Sequence, residues 1–246
     1  MNPETIDSLC GLVPESRRTA VTSEKMREIE DRGVSLGISR ILMMENAGSN
    51  LARFVISKLE EKRAESETPG HVRVLLVAGT GNNGGDLFVA ARHLLFWLEE
   101  SEVHLFLVGS EKKIVAEEAS ANWNILKRIG AGTSILEADE DIELLEEKLL
   151  ESEVIMVGLF GTGFKGKPRE LQEKVIELIN SKAGKKATRI SVDLPSGMEA
   201  DTGQYEIAVK SDFTITMGAP KKGLVSSENA KRVSGVVLVA NIGVPS

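Results

Sequence analysis

At 246 residues, with a formal net charge of −7 and a pI near 5.2, the chain can bury one large α/β core and lacks the basic surplus that nucleic-acid binding requires. Cys10 is the one cysteine, so no disulfide can form within the chain, and no run approaches the roughly 20 apolar residues of a membrane span. With no basic-then-apolar leader at the N-terminus, the expectation is a cytoplasmic protein with neither nucleic acid nor membrane as partner. His71, His93 and His104 are scattered without ligand spacing, so no transition-metal site is expected.

In chain order, residues 1–21 read as a loosely held arm of a single domain spanning 1–246. Thr22 or Ser23 caps a short helix that places Met26, Ile29, Val34 and Leu36 near one side, with Gly33 and Gly37 ending it. A second helix begins near Ser39 and carries Ile41, Leu42, Met44, Leu51, Phe54, Val55 and Leu59. It is predicted to dissolve in the charged run 60–63, ahead of a loop at 66–70. Gly48 costs this helix roughly 1 kcal/mol against alanine, which points to close packing on a neighbouring backbone rather than ligand contact.

Residues 72–78 form a buried strand, and 79–85 hold four glycines, read as a loop through which backbone approaches a ligand. After Asp86 the apolar residues Phe88, Val89, Ala91, Leu94, Leu95 and Leu98 recur at helical spacing, so the unit is strand, glycine loop, helix. The N–H groups opening that helix then point past the strand's carboxyl end. Further strands are predicted at 103–108, 133–136, 154–160, 188–192, 213–217 and 236–239. Helices are predicted at 116–129, with Trp123 in the core, at 139–151, and from Pro168 in the first turn to Asn180. Such alternation specifies a mostly parallel sheet with helices on both faces.

Three strand ends carry polar or glycine-rich turns: 79–86, 161–167 and 193–197. In a parallel sheet such turns gather along one edge, where ligands bind. Residues 79–84 and 161–166 each match GxGxxG, a weak signal alone. Glu111 is only an approximate fit to the acidic residue a dinucleotide site wants after the next strand, and no Lys-Ser or Lys-Thr follows either loop, so the P-loop pattern fails. Asn82, Asn83 and Asp86 offer a polar ligand or hard cation two carboxamides and a carboxylate, though Asp86 could instead cap its helix. Asp193, held by the rigid Leu-Pro-Ser-Gly turn, is the best catalytic carboxylate; the alternative is a carboxylate bracing its own turn. Lys165 could meet a phosphate, pair with Asp193, or be a solvated surface lysine.

Together these pieces resemble the NAD(P)H-hydrate epimerase family, the YjeF N-terminal domain type. The matching stretches are MENAG at 44–48, GTGNNGGD at 79–86, AARHL at 90–94, LFGTGFKG at 159–166, DLPSG at 193–197 with ADTG at 200–203, GAPKKGL at 218–224 and NIGVP at 241–245. The resemblance implies a Rossmann-like three-layer α/β/α sandwich, usually a homodimer, that interconverts the R and S forms of NADHX and NADPHX, hydrated at C6 of the nicotinamide ring. A separate nucleotide-dependent dehydratase then restores the cofactor. Carried over by position, Asn82, Asn83, Gly84, Gly85, Asp86, Gly161, Thr162, Gly163, Phe164, Lys165, Gly166 and Lys167 line the substrate and Asp193 contacts it. Asp193 and Lys165 are then the catalytic candidates, the first shuttling the proton of the C6 oxygen, the second holding ribose and phosphates. Asn83 and Ser196 would help hold a potassium ion, but Val157 replaces a commonly found aspartate ligand. Leu87 replaces a common glycine. Departure of the hydroxyl through an iminium and ring opening with reclosure both remain possible. Two competing readings are a non-catalytic nucleotide-binding or scaffolding homologue of the same fold, and an NAD-dependent oxidoreductase resting on GxGxxG alone.

Overall fold

The structure is a computed structural model that describes residues 12–65, 72–99, 102–184 and 186–245. Cys10, His71, most of the predicted arm and the 66–70 loop lie outside the described residues. Eight strands form one sheet: β1 (Leu12–Pro14), β2 (Val74–Ala78), β3 (Val103–Val108), β4 (Thr133–Leu136), β5 (Val154–Gly158), β6 (Thr188–Val192), β7 (Phe213–Met217) and β8 (Val236–Ala240). Their spatial order is β1-β8-β7-β6-β5-β2-β3-β4, parallel throughout except for the antiparallel β1–β8 pair. The chain therefore runs outward from β2 through β3 to β4, then returns to β5 on the other side of β2. This reversal opens a crevice between the carboxyl ends of β2 and β5.

The helices are α1 (Ser23–Ser35), α2 (Arg40–Glu65), α3 (Asn82–Leu94), α4 (Glu117–Ile129), α5 (Ile142–Glu151), α6 (Glu170–Lys182), α7 (Lys222–Ser226) and α8 (Glu228–Ser234). Side chains alternate across the strands and thereby split the core into two apolar layers. Val74, Leu76 and Ala78 of β2 face Leu51, Phe54, Phe88 and Trp123 of α2, α3 and α4. Leu75 and Val77 face Leu145 and Leu149 of α5 and Val175, Ile176 and Ile179 of α6. Fully burying each such side chain stabilises the fold by about 1.5–3 kcal/mol. The result is the three-layer α/β/α sandwich with a mostly parallel sheet that the alternating pattern specifies.

Several boundaries differ from expectation. Part of the arm is fixed: Leu12 is fully buried and pairs with Ala240, and Val21 bridges to Lys221. Thr22 caps α1, its side chain accepting from the Lys25 N–H, but Gly33 lies inside the helix, packed against Met43 and Val244. Val34 and Leu36, and Ile41 and Leu42 at the start of α2, are exposed rather than core. The α2 helix runs through the charged residues 60–63 because that run finds partners. Lys58 pairs with Glu61, and Lys62 Nζ donates to the carbonyls of Glu153 and Lys186. Pro168 precedes the first turn of α6, which opens after Arg169, and α7 and α8 were not predicted.

The largest correction concerns residues 82–85, which are the first turn of α3 rather than loop. A Cβ on Gly84 would stand 1.8 Å from the Gly79 carbonyl oxygen, and one on Gly85 would stand 2.5 Å from the Met44 side chain. These two glycines seat α3 against its own strand end and against α2, so the lack of a side chain at each serves helix packing. Gly48 has the predicted role, since a Cβ there would fall 2.4 Å from Val89 and 2.7 Å from the Asp86 carbonyl oxygen.

Candidate active site

The three strand-end turns do converge. They surround a cavity of about 800 Å³, within the range of small-molecule sites, at the crevice between β2 and β5. Gly79, Asn82, Asn83 and Asp86 enter from β2 and α3, residues 160–165 and Lys167 from β5, and Asp193 from β6. A second cavity of about 640 Å³ lies at the amino ends of the strands, where Arg73 and Lys148 are already paired with Glu151.

Asn83 ties the turns together. Its Nδ2 donates to the carbonyls of Phe160 at 2.6 Å and Val192 at 2.7 Å, joining α3 to the ends of β5 and β6. Ser196 Oγ accepts from the Leu159 N–H at 3.0 Å and adds a second tie between β5 and β6. Phe160 and Phe164 stack with ring centroids 4.4 Å apart, giving the β5 loop a rigid apolar wall.

Asp193 sits at φ 63°, the one non-glycine residue with positive φ among those described. Aspartate tolerates this region better than most side chains, yet such strain persists only where surrounding contacts over-determine it. The Asp193 N–H donates to the Ile215 carbonyl, and its side-chain contacts all fall on one oxygen. Asp193 Oδ1 accepts from Thr216 Oγ1 and the Met217 N–H, each at 3.1 Å, and from Lys221 Nζ in a closer contact. Oδ2 is left for a ligand. Lys221 is 1% exposed and also donates to Thr216 Oγ1 and the Met217 carbonyl. The bridge from Val21 and the bond from Val21 N–H to the Pro220 carbonyl hold the turn that carries it.

Asp86 is buried at the same floor, and its carboxyl has no hydrogen-bond partner among the described residues. Loss of solvent, reinforced by the nearby Asp193 and Glu30 charges, pushes its pKa well above the usual carboxylate range. Glu30, on α1, is raised mainly by burial, with Lys221 acting in the opposite direction. The floor thus pairs a carboxyl that favours its proton with a carboxylate bound to an ammonium. A carboxyl that keeps its proton beside an ion-paired carboxylate offers an acid and an acceptor to one ligand.

Not every sequence candidate reaches the cavity. Gly84, Gly85, Gly166 and Ser196 do not line it; the Gly166 N–H donates instead to Glu199 Oε1. Lys165 lies at the exposed rim and does not pair with Asp193, whose cation is Lys221. Lys221 and Glu30 escaped the sequence reading. Glu30 follows Met26 by one helical turn and so shares its inward face, and Lys221 lies just past the strand beside β6. Gln172, whose Oε1 is a buried acceptor without a partner, was missed as well.

The family model described as YjeF-related protein N-terminus matches residues 40–223. The chain belongs to this family. It is 34% identical to the NAD(P)H-hydrate epimerase of Cenarchaeum symbiosum over 92% of this chain and 95% of that protein. It is 37% identical to the bifunctional NAD(P)H-hydrate repair enzyme Nnr of Methanothermobacter thermautotrophicus over 85% of this chain, and spans only 37% of that longer protein. The crystal structure of yeast ynu0, YNL200c, superposes with a TM-score of 0.69 at 27% identity, covering 86% of both chains.

Of the potassium ligands that the family resemblance implies, the aspartate position is taken by Val157, which has no oxygen to give, while the side-chain oxygens of Asn83 and Ser196 are present. Asn83 Nδ2 is hydrogen-bonded to two carbonyls while its Oδ1 accepts no hydrogen bond among the described residues, Ser196 Oγ accepts one backbone N–H and keeps a second lone pair, and Val157 is a fully buried apolar side chain of the α5–α6 layer. No cluster of three or more His, Cys, Asp or Glu side chains suited to a metal occurs among the described residues.

Proposed function

We propose that this protein is an NAD(P)H-hydrate epimerase, an isomerase that interconverts the R and S hydrates of NADH and NADPH. The observation that carries the reading is the meeting of Asp86 and the Asp193–Lys221 pair on the floor of one dinucleotide-sized cavity. The names of the relatives, in particular the epimerase that it matches over 95% of that protein, support the same activity.

The chemistry needs little more than those carboxyls. The C6 hydroxyl sits on a carbon bonded to the ring nitrogen, whose lone pair expels it once the oxygen is protonated. Asp86 gives that proton, and water departs to leave an iminium. Water then adds to the opposite face while Asp193 Oδ2 takes its proton, and proton return from Asp193 to Asp86 resets the site. Lys221 and the backbone around Thr216 hold Asp193 in place throughout. The N–H groups opening α3 and the rim cations bind the diphosphate.

The test is to follow a resolved hydrate by chromatography at a pH where spontaneous interconversion is slow. Wild-type protein should equilibrate the epimers; a rate equal to that of buffer contradicts the assignment. A scaffolding homologue would give the latter result.

Replacing Asp86 by Asn adds a stability signature. In the wild type the folded carboxyl keeps its proton above the unfolded pKa of roughly 4, so stability falls as pH rises from there to the raised folded value. The slope is at most about 1.4 kcal/mol per pH unit, and the Asn variant lacks it. Asp86→Asn should therefore gain stability relative to wild type as pH rises through that window while losing epimerase activity. Denaturation curves across pH would show a constant difference if the carboxyl were not buried and protonated.

As part of the same proposal, the protein acts in the cytoplasm beside a dehydratase, as a homodimer. The exposed apolar side chains of Val34, Leu36, Ile41 and Leu42 provide a surface for a second copy. Light scattering should give twice the chain mass, and a monomer would remove this element.

A further inference from the structure

The cavity has a charge polarity that the epimerisation chemistry does not use. Its floor carries Glu30, Asp86 and Asp193, while Lys113, Lys165, Lys167 and Arg169 stand at its rim. Lys167 is paired with Glu173. Lys113, Lys165 and Arg169 have no carboxylate within ion-pair distance among the described residues. Unpaired cations around a cleft attract an anionic ligand and fix its orientation.

Sheet order assigns these cations to different parts of that ligand. Asp193 projects from the end of β6, so the nicotinamide end rests between it and Asp86 of α3, and the diphosphate crosses the opening turn of α3 at the end of β2. The adenosine half then continues to the other side of β2, over the end of β3. Lys165 and Arg169 come from the β5 side and are near the diphosphate, whereas Lys113 alone reaches the cavity from the β3 side.

At that strand end a dinucleotide site selective for an unphosphorylated ribose presents an acidic residue to its hydroxyls. Glu111 has the right location and the wrong engagement. Its Oε2 accepts from Trp123 Nε1 and Lys127 Nζ, both at 2.9 Å, and it does not line the cavity. The charge on the side of the adenosine ribose is therefore the Lys113 ammonium, which has no ion-pair partner among the described residues.

We propose that Lys113 is a specificity-determining residue that binds a phosphate on the adenosine ribose, so that the protein prefers NADPHX to NADHX. This rests on the epimerase reading for its substrate, but the ribose contact can be measured without turnover. The probes are ADP-ribose and its 2′-phosphate, which lack the nicotinamide ring, titrated by calorimetry into the whole protein. The phosphorylated probe should bind roughly ten- to a hundredfold more tightly, the contribution of one charge-assisted contact or two. Lys113→Gln should bring the two affinities close together while leaving the fold intact by circular dichroism. In kinetics with resolved hydrates, the same variant should lose more kcat/KM for NADPHX than for NADHX, chiefly through KM.

Equal binding of the two probes by wild type would overturn the proposal, as would a preference that survives Lys113→Gln. Binding of neither probe would overturn the placement of the adenosine half. A clear phosphate preference in a protein that fails to interconvert either hydrate would uphold the Lys113 contact and overturn the epimerase reading instead.

Discussion

Asp193→Asn should lower hydrate epimerisation by about 100- to 10,000-fold, the range a positioned acid or base supplies. The side chain keeps nearly the same shape, so Thr216 and the Met217 N–H can still hold it on one side. What disappears is the Oδ2 acceptor for the proton of incoming water, and the anion that balances Lys221. If substrate binding depends mainly on the rim and the α3 amino terminus, KM changes little and the loss falls on kcat. Rates on both epimers, measured beside binding of the hydrate, separate these terms. Undiminished turnover would remove Asp193 from the chemistry.

Lys221→Met should be the most destabilising single change in the site. It leaves the Asp193 carboxylate at 6% exposure without its ammonium, and removing one partner of a buried pair costs about 3–5 kcal/mol. For a chain of this size that corresponds to a fall in Tm of roughly 6–20 °C. Removing both charges of a buried pair costs less than removing one, and asparagine keeps the acceptor for Thr216 and tolerates the positive φ. Lys221→Met combined with Asp193→Asn should therefore recover part of the lost stability and none of the activity. Thermal unfolding of wild type, the two single variants and the double variant gives the coupling energy. A Lys221→Met protein as stable as wild type would mean that the ion pair contributes nothing and that Asp193 is held by its backbone turn alone.

The strands were legible because their signal is local. Runs such as 188–192 and 213–217 alternate apolar with polar residues, are rich in β-branched side chains and are bounded by turn residues, and their predicted limits coincide with β6 and β7. Convergence of the three turns followed from parallelism, since strands that point one way deliver their carboxyl ends to one edge. The glycines misled because sequence gives their positions and not their reason. Gly84 and Gly85 looked like a ligand loop, whereas each clears space for a neighbouring element inside α3. The charge partner of Asp193 was out of reach for a different cause. Lys165 and Lys221 both follow strand ends and look alike in sequence, and only the neighbouring position of β7 beside β6 decides between them. Glu30 was hidden because α1 reads as a surface helix, and its burial depends on the floor it covers.

The potassium ligand set that the family resemblance implies is kept only in part. The side chains of Asn83 and Ser196 tie backbone segments to one another, through the Asn83 Nδ2 and through the N–H that Ser196 Oγ accepts, and both keep an oxygen lone pair. Val157 points into the apolar layer under α5 and α6 and has nothing to offer a cation.

One measurement bears most directly on the carboxyl floor as an epimerase: incubation of a single resolved hydrate with wild-type protein in oxygen-18 water. Departure and return of water at C6 predict that the opposite epimer appears far faster than in buffer and carries the heavy oxygen at that carbon. An unchanged starting epimer would contradict the function, and conversion without label would contradict the proton roles given to Asp86 and Asp193.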